Sequence, residues 1–504
     1  MGKRMVIGVD FGGSASKATL LDETGVVVAT ATREYPSYYP QPGWVEQDPE
    51  DYYSAFVANV RNLMATPGVR PADIVAISLD AATHMAVLMD GDGQPIRRMI
   101  HWSDRRSGGQ AARLSREAGE LIRKHCCNTP GAAWTLPQLI WLQEHESEAL
   151  RRTKRICFAK DYVRGRITGD FCTDHIEAMG ALLADDQTEQ WVTDLCALAG
   201  IRTEQLPEIR RPQDLAGTVS SETAAATGLA EGTPALVGTT DTVLEVYASG
   251  VIAENSATVK LATAGRICPV TRGPIPSHQF FNYKHLIPGL WYPGTGTRSC
   301  AASYTWYRNV FGDGEQLRAR ELGKSAYQLL NEAAEQVAPG CDGLFFHPYL
   351  LGEMTPYYDD QLRASFTGAA MHHTKGHFSR AVMEGVAYSM KDCALEIEKA
   401  GVPLGDCRLI GGGAKGKLWR QIMADVLNRP LIYTESNDSS LGSAMLAGTV
   451  MGLFSGYEDS IQKCVRITEV LQPNPKYVPV YEKNFQIYKA LQRALAEVYH
   501  QYES

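Results

Sequence analysis

The feature that most constrains the fold is an apolar run at residues 5–9 that stops at an acid and a glycine turn, Asp10-Phe11-Gly12-Gly13-Ser14. A short apolar run bounded by turn residues reads as a buried strand. Apolar sequence resumes at once, at 17–21 and 26–30, on either side of Asp22-Glu23-Thr24-Gly25. A compact polar turn ending in glycine between two such runs predicts a β-hairpin. The chain therefore opens with antiparallel strands.

Helices then alternate with strands. Asp48-Pro49-Glu50-Asp51 supplies an N-cap, a proline at the first helical position and acids in the first turn, which predicts a helix to about Leu63. A buried strand is expected at 74–79, helices around 107–124 and 136–145, and a further strand at 155–158. The class is mixed α/β. At 504 residues the chain exceeds what one hydrophobic core supports, so two domains of roughly 250 residues each are expected, with a cleft between them. The expected division is 1–248, 249–455 and a helical extension over 456–504. The second half repeats the opening: Leu261-Ala262-Thr263-Ala264-Gly265 follows a strand as residues 9–13 do, a faint sign of duplication. Later, 408–410 runs into Gly411-Gly412-Gly413-Ala414-Lys415 and a helix over 418–427. After a strand at 431–433, Asp438-Ser439-Ser440 starts another helix, and 484–499 has the pattern of a terminal amphipathic helix.

Composition excludes several function classes. The net charge is −8, and no basic stretch is longer than Arg151-Arg152-Thr153-Lys154-Arg155, which reads as a helix end and not as a nucleic-acid footprint. The 11 cysteines include no CxxC pair, so reduced thiols are expected. The opening residues lack the apolar stretch of a signal peptide, and no apolar run reaches the roughly 20 residues of a membrane span. A cytoplasmic chain without a membrane partner is expected.

Three glycine-rich turns that each follow a strand can bring backbone N–H groups up to a polyphosphate. None is a Walker A sequence or a strand-linked GxGxxG. Two acids end buried strands, Asp10 before Gly12-Gly13 and Asp241 after Gly238-Thr239-Thr240. Phosphoryl transfer needs such a pair, one carboxylate for Mg²⁺ and one to accept the proton of the attacking hydroxyl. Equally, either acid can be a turn-capping side chain.

Asp10 to Lys17 and Gly43-Trp44-Val45-Glu46-Gln47-Asp48-Pro49 resemble the opening of the FGGY carbohydrate kinases. Trp102-Ser103-Asp104-Arg105-Arg106, Lys160-Asp161-Tyr162, Thr173-Asp174 and the Asp241 turn keep that family's order. So do Pro348-Tyr349-Leu350-Leu351-Gly352-Glu353-Met354-Thr355-Pro356, Glu384-Gly385-Val386-Ala387 and the turn from Gly411 to Lys415. The resemblance spans nearly the whole chain. It implies two actin-like (ribonuclease H-like) domains hinged around a cleft that closes on the sugar, with ATP and Mg²⁺ on the second domain's side. By matching position, Asp10 would serve the metal and Asp241 would be the base. Gly12, Gly13, Ser14 and Lys17 would form the first phosphate loop, and Thr263, Ala264 and Gly265 the second. Gly411, Gly412, Gly413 and Ala414 would meet adenosine and the α-phosphate, while Thr83, His84, Trp102 and Asp104 would join Asp241 around the sugar. A homodimer is the family expectation.

The chain departs from the family where the sugar would be chosen. Xylulokinase-like members, which it resembles most, have Gln-Met-His-Gly where this chain has Ala82-Thr83-His84-Met85, and the Arg-Glu-Thr of glycerol kinases is absent. Gly13 replaces a Thr or Ser of the first loop, Ala262 and Ala264 replace Gly and Ser of the second, and Met354 stands where Arg is frequent. The expected activity is transfer of the γ-phosphate of ATP to a small sugar, a pentulose such as D-xylulose. Another ketose, a polyol, a sugar acid or a sugar-binding sensor without catalysis are the alternatives.

Overall fold

The structure, a computed structural model, describes residues 3–434 and 438–502. The chain divides into two compact units, each discontinuous in sequence. Unit 1 comprises 1–252, 273–291 and 436–466; unit 2 comprises 253–272, 292–435 and 467–504.

Unit 1 is built on the expected hairpin. Strands β1 (Met5–Phe11), β2 (Ala15–Asp22) and β3 (Val27–Glu34) pair antiparallel, with Asp10 opposite Lys17. The hairpin turns because Asp22 Oδ1 accepts from the N–H groups of Thr24 and Val26 while Gly25 takes a φ of +84°. On its other side β1 pairs in parallel with β4 (Ile74–Ala81), and the sheet continues through β5 (Leu215–Thr218) and β6 (Pro234–Leu236) in the order β5-β6-β4-β1-β2-β3. A short strand, β7 (Thr239–Thr240), runs parallel to the end of β4.

Two helices close over this sheet. Helix Pro49–Met64 begins as its sequence dictates, the Asp48 carboxylate capping the N–H of Glu50 at 3.0 Å. Helix Ser439–Val450, capped by Asp438, lies so close to β1 that a Cβ on Gly8 would sit 2.1 Å from the carbonyl oxygen of Ser440. Only glycine fits at that crossing.

Unit 2 holds a second sheet, formed by β8 (Ala257–Leu261), β9 (Gly265–Pro269), β10 (Thr295–Thr297), β11 (Cys407–Ile410), β12 (Leu431–Thr434) and β13 (Ile467–Leu471). Its order is β10-β9-β8-β11-β12-β13. Starting from β3 in one sheet and β10 in the other, the successive pairings are antiparallel, antiparallel, parallel, parallel and antiparallel in both. The resemblance between residues 9–13 and 261–265 is thus part of a shared topology. Helix Lys375–Lys399 covers the second sheet, pressed so near Phe346 that Gly385 has no room for a side chain.

Two helical regions differ from expectation in their bounds. The region 107–124 forms two helices, Gly108–Glu117 and Gly119–Cys126. The terminal helix starts at Val478, because Pro479 occupies its first turn, where no N–H is needed. The basic run at 151–155 ends helix Ser147–Arg152 and enters strand Arg155–Phe158. All 11 cysteines are free and buried.

Candidate active site

Strands β1, β4 and β7 are parallel, so their carboxyl ends present side chains at one edge of the unit 1 sheet. Asp10 is in register with Asp80, Asp80 with Thr239, and Asp241 opens the helix Asp241–Ala248 directly after β7. Ligands of open α/β sheets bind outside such carboxyl ends. Asp80 is buried and Asp10 half-buried, their carboxyls are hydrogen-bonded to each other, and Ser443 Oγ donates to Asp80 Oδ2 at 2.5 Å. Burial holds both carboxyls well above the usual carboxylate range, and the negative charges of Asp241 and Asp438 push Asp10 further up. Asp80 was not singled out from sequence, although it follows the run 74–79 as Asp10 follows 5–9, because no glycine turn comes after it.

Asp10 Oδ1 and Asp80 Oδ1 are buried without a hydrogen-bond donor among the described residues. A proton shared between the carboxyls or a hard cation would satisfy them, and carboxylate oxygens suit Mg²⁺. The residues present therefore fit a magnesium ion held by Asp10, although among the described residues no group of three or more His, Cys, Asp or Glu is arranged as a metal cage. Asp241 Oδ1 accepts from the Thr242 N–H at 2.6 Å and from its hydroxyl at 3.0 Å, which fixes the carboxylate at the helix start.

The first glycine turn is strapped from below. Tyr35 donates its hydroxyl to the Gly12 carbonyl, and Gln47 Nε2 donates to the Gly13 carbonyl at 2.8 Å, itself held by Tyr52 at 2.5 Å. With both carbonyls turned inward, Gly13 and Ser14 are exposed. A Cβ on Gly12 would lie 3.6 Å from Asp10 Oδ2, so the turn abuts that carboxylate. Lys17, read as part of this loop, is paired with Asp438 at 2.7 Å.

His84 is held from several directions. It follows Thr83 at the end of the loop tied to β1 by the Ala82 N–H on the Phe11 carbonyl, and its φ of +76° is left-handed. Glu177 accepts its backbone N–H at 2.9 Å, Thr135 donates to its carbonyl at 3.0 Å, and its Nε2 is hydrogen-bonded to the Tyr283 hydroxyl at 2.9 Å. Trp134 packs on the imidazole with ring centroids 4.5 Å apart and stacks on Tyr283. Glu177 belongs to helix His175–Gly180, whose cap Asp174 also takes the Thr239 hydroxyl at 2.8 Å and pairs with buried Lys160. One buried polar chain therefore connects the β7 turn with the His84 loop. Burial pushes the Glu177 carboxyl up to about 8, against the pull of Lys160. Trp134, Glu177 and Tyr283 were not foreseen from sequence.

Trp102 is 42% exposed, whereas Asp104 is buried. Both Asp104 oxygens are engaged, Oδ1 by the Arg106 N–H at 2.8 Å and Oδ2 by the Val45 N–H at 2.5 Å and Arg106 Nη2 at 2.8 Å. Its carboxylate braces the segment that carries Trp102.

In unit 2 the turn after β8 carries Thr263 and Ala264, and the turn after β11 carries Gly411 to Ala414, at the same end of two adjacent parallel strands. The Thr263 and Ala262 carbonyls accept from Cys300 and Ala301 at the start of helix Ala301–Phe311. Crowding explains three of the glycines here. A Cβ on Gly265 would meet Met390 Sδ at 2.5 Å, one on Gly411 the Leu261 carbonyl at 2.6 Å, and one on Gly413 the Leu261 side chain at 2.9 Å. Gly412 is exposed and meets nothing within 4 Å, leaving its backbone approachable.

The description "FGGY family of carbohydrate kinases, N-terminal domain" matches residues 5–247, and the corresponding C-terminal domain matches 223–451. The chain is 32% identical to the xylulose kinase of Lactococcus lactis over 502 residues, covering 98% of each. Among solved structures, the xylulose kinase of Rhodospirillum rubrum superposes with a TM-score of 0.88 at 29% identity, over 99% of this chain and all of the other. The gluconate kinase of Lactobacillus acidophilus gives a TM-score of 0.90 at 25% identity, over the full length of both.

Proposed function

Because the chain belongs to the FGGY family of carbohydrate kinases and so phosphorylates a sugar with ATP, we propose that its acceptor is a five-carbon ketose such as D-xylulose and that Asp241 is the base. The observation that carries this reading is the position of Asp241, fixed at a helix start beside the strand ends that bear Asp10, whose carboxyl feels its charge. A carboxylate held there can accept the proton of a sugar hydroxyl as bonding to phosphorus develops and the hydroxyl becomes acidic. His84, with its neighbour Thr83 and with Trp102, would orient the sugar; Asp104 would hold Trp102 in place. The Gly12 N–H is taken by the Ala15 carbonyl at 3.1 Å, so the N–H groups of the exposed Gly13 and Ser14 would meet phosphate oxygens, with Lys17 contributing through its pair with Asp438.

In unit 2, Thr263, Ala264 and Gly265 would form the second phosphate turn, and Gly411 to Ala414 would approach adenosine and the α-phosphate. Asp10 would hold Mg²⁺, through water. When bound, that ion neutralises phosphate charge. A cytoplasmic location agrees with the free buried thiols, no described helix is long and apolar enough to cross a membrane, and a homodimer is proposed on family grounds.

A sugar acid is the second reading, favoured by the gluconate kinase likeness and by the altered residues beside His84. A panel of pentuloses, polyols and sugar acids, read by ADP release, separates the two. Undiminished turnover in Asp241→Asn would remove Asp241 as the base.

A further inference from the structure

His101 is a residue that neither the strand pattern nor the family motifs single out. It ends the segment Met99-Ile100-His101, tied to Val45 by its backbone N–H, and its side chain turns inward beneath the first glycine turn. It is 5% exposed.

The proton on this imidazole can be located from its neighbours. Nδ1 lies 3.2 Å from the Ser103 backbone N–H, which can only donate, and 2.7 Å from the Ser103 hydroxyl. Nδ1 is therefore the acceptor, and a neutral ring must carry its hydrogen on Nε2. The ring is neutral because burial holds its pKa down to about 4. Nε2 is thus an N–H donor, and among the described residues it has no hydrogen-bond partner. Leaving a buried donor unmatched is costly, so such a group calls for an acceptor that arrives from elsewhere.

Its direction indicates which one. The place where a Cβ on Gly13 would sit is 3.6 Å from Nε2 and 3.8 Å from Cε1 of His101. The residue that lacks a side chain is thus the one over the donor, and a larger residue there would cover it. The neighbouring Gly12 abuts Asp10 Oδ2.

We infer that the Nε2–H of His101 is a catalytic hydrogen-bond donor to a non-bridging oxygen of the terminal phosphoryl group of ATP, reached past the bare backbone of Gly13. The inference rests on the reading of residues 12–14 as a phosphate-facing turn. The terminal group is the relevant one because it is the part of the nucleotide that must meet the hydroxyl activated by Asp241, on the same unit. In the step served, the sugar oxygen forms a bond to the γ-phosphorus while the bond from that phosphorus to the β,γ-bridging oxygen breaks. ADP leaves with those electrons, and the hydroxyl proton passes to Asp241. His101 transfers no proton. It stabilises charge on the phosphoryl oxygens as a fixed donor on a buried ring.

Sugar-dependent ADP release by the wild-type chain is measured first, because its absence removes the kinase reading itself. Given turnover, His101→Phe keeps a buried ring and deletes the donor. The expected result is a fall in kcat on the order of 100-fold, with His101→Gln, which restores an N–H, recovering most of it. The affinity of His101→Phe for β,γ-imido-ATP should drop several-fold while that for ADP is unchanged. In wild-type protein labelled with ¹⁵N-histidine, the His101 Nε2 resonance should shift on adding β,γ-imido-ATP and stay in place with ADP, a readout independent of how any variant folds. Wild-type turnover with an unmoved resonance, unaltered kcat in His101→Phe, or equal loss of affinity for both nucleotides would each overturn the assignment and leave the kinase reading standing.

Discussion

Glu177 receives the backbone N–H of His84 at 2.9 Å across 93 residues of sequence, and it does so with a carboxyl that burial keeps protonated to about pH 8. A carboxyl whose pKa is raised in the folded state stabilises the fold fully below its unfolded value near 4.5, and that contribution is lost as pH rises toward 8. Glu177→Gln keeps the acceptor and removes the titration. Its melting temperature should fall less than that of the wild type between pH 5 and pH 8, a difference worth a few kcal/mol at most. Parallel melting curves over that window would contradict it.

The Tyr283 hydroxyl touches His84 Nε2. Tyr283→Phe removes one hydrogen bond and keeps the ring on Trp134. The KM for sugar should rise about three- to tenfold with the KM for ATP unchanged, as expected for the loss of one neutral hydrogen bond at the sugar. Steady-state kinetics with each substrate varied in turn is the check.

Asp104 and Arg106 bury an ion pair under the Trp102 segment. Asp104→Asn leaves Arg106 with Glu46 as its remaining carboxylate partner. Stability in urea should fall by about 3 kcal/mol, the low end for breaking a buried pair. If Asp104 instead bound the sugar directly, stability would hold and only the sugar KM would rise.

Gly8 lies under helix Ser439–Val450 with 2.1 Å between its missing Cβ and the Ser440 carbonyl. Gly8→Ala should destabilise the chain by about 3 kcal/mol or more by forcing the helix off the sheet. Equilibrium unfolding in urea measures it, and a shift under 1 kcal/mol would show that the helix yields easily.

Local features were legible in the sequence because their causes are local. The Asp22 turn, the Asp48 and Asp438 caps and the strand-to-glycine turns each depend on residues a few positions apart, and periodicity or capping chemistry reads them directly. The surroundings of His84 were not legible. Tyr283 lies 199 residues away in sequence and Glu177 lies 93 away, and no spacing rule relates them. Asp80 and His101 look from sequence like interruptions of apolar stretches, and only the neighbours brought to them by the sheet and the glycine turn make them notable. Residues 273–291 and 438–455, expected in the second domain, cluster with unit 1, and so do 456–466, expected in the C-terminal extension. A pattern of strands and helices says which faces are apolar and not which sheet they will cover.

The intimate contact of Gly8 with Ser440 joins the first strand of the protein to a helix near its end. During synthesis, therefore, the amino-terminal sheet emerges with one face bare and stays so until the ribosome has passed residue 450. Domains that complete early can fold as they appear, but this one must wait until residues 439–450 have been made. Expression of residues 1–248 alone should give an aggregating fragment.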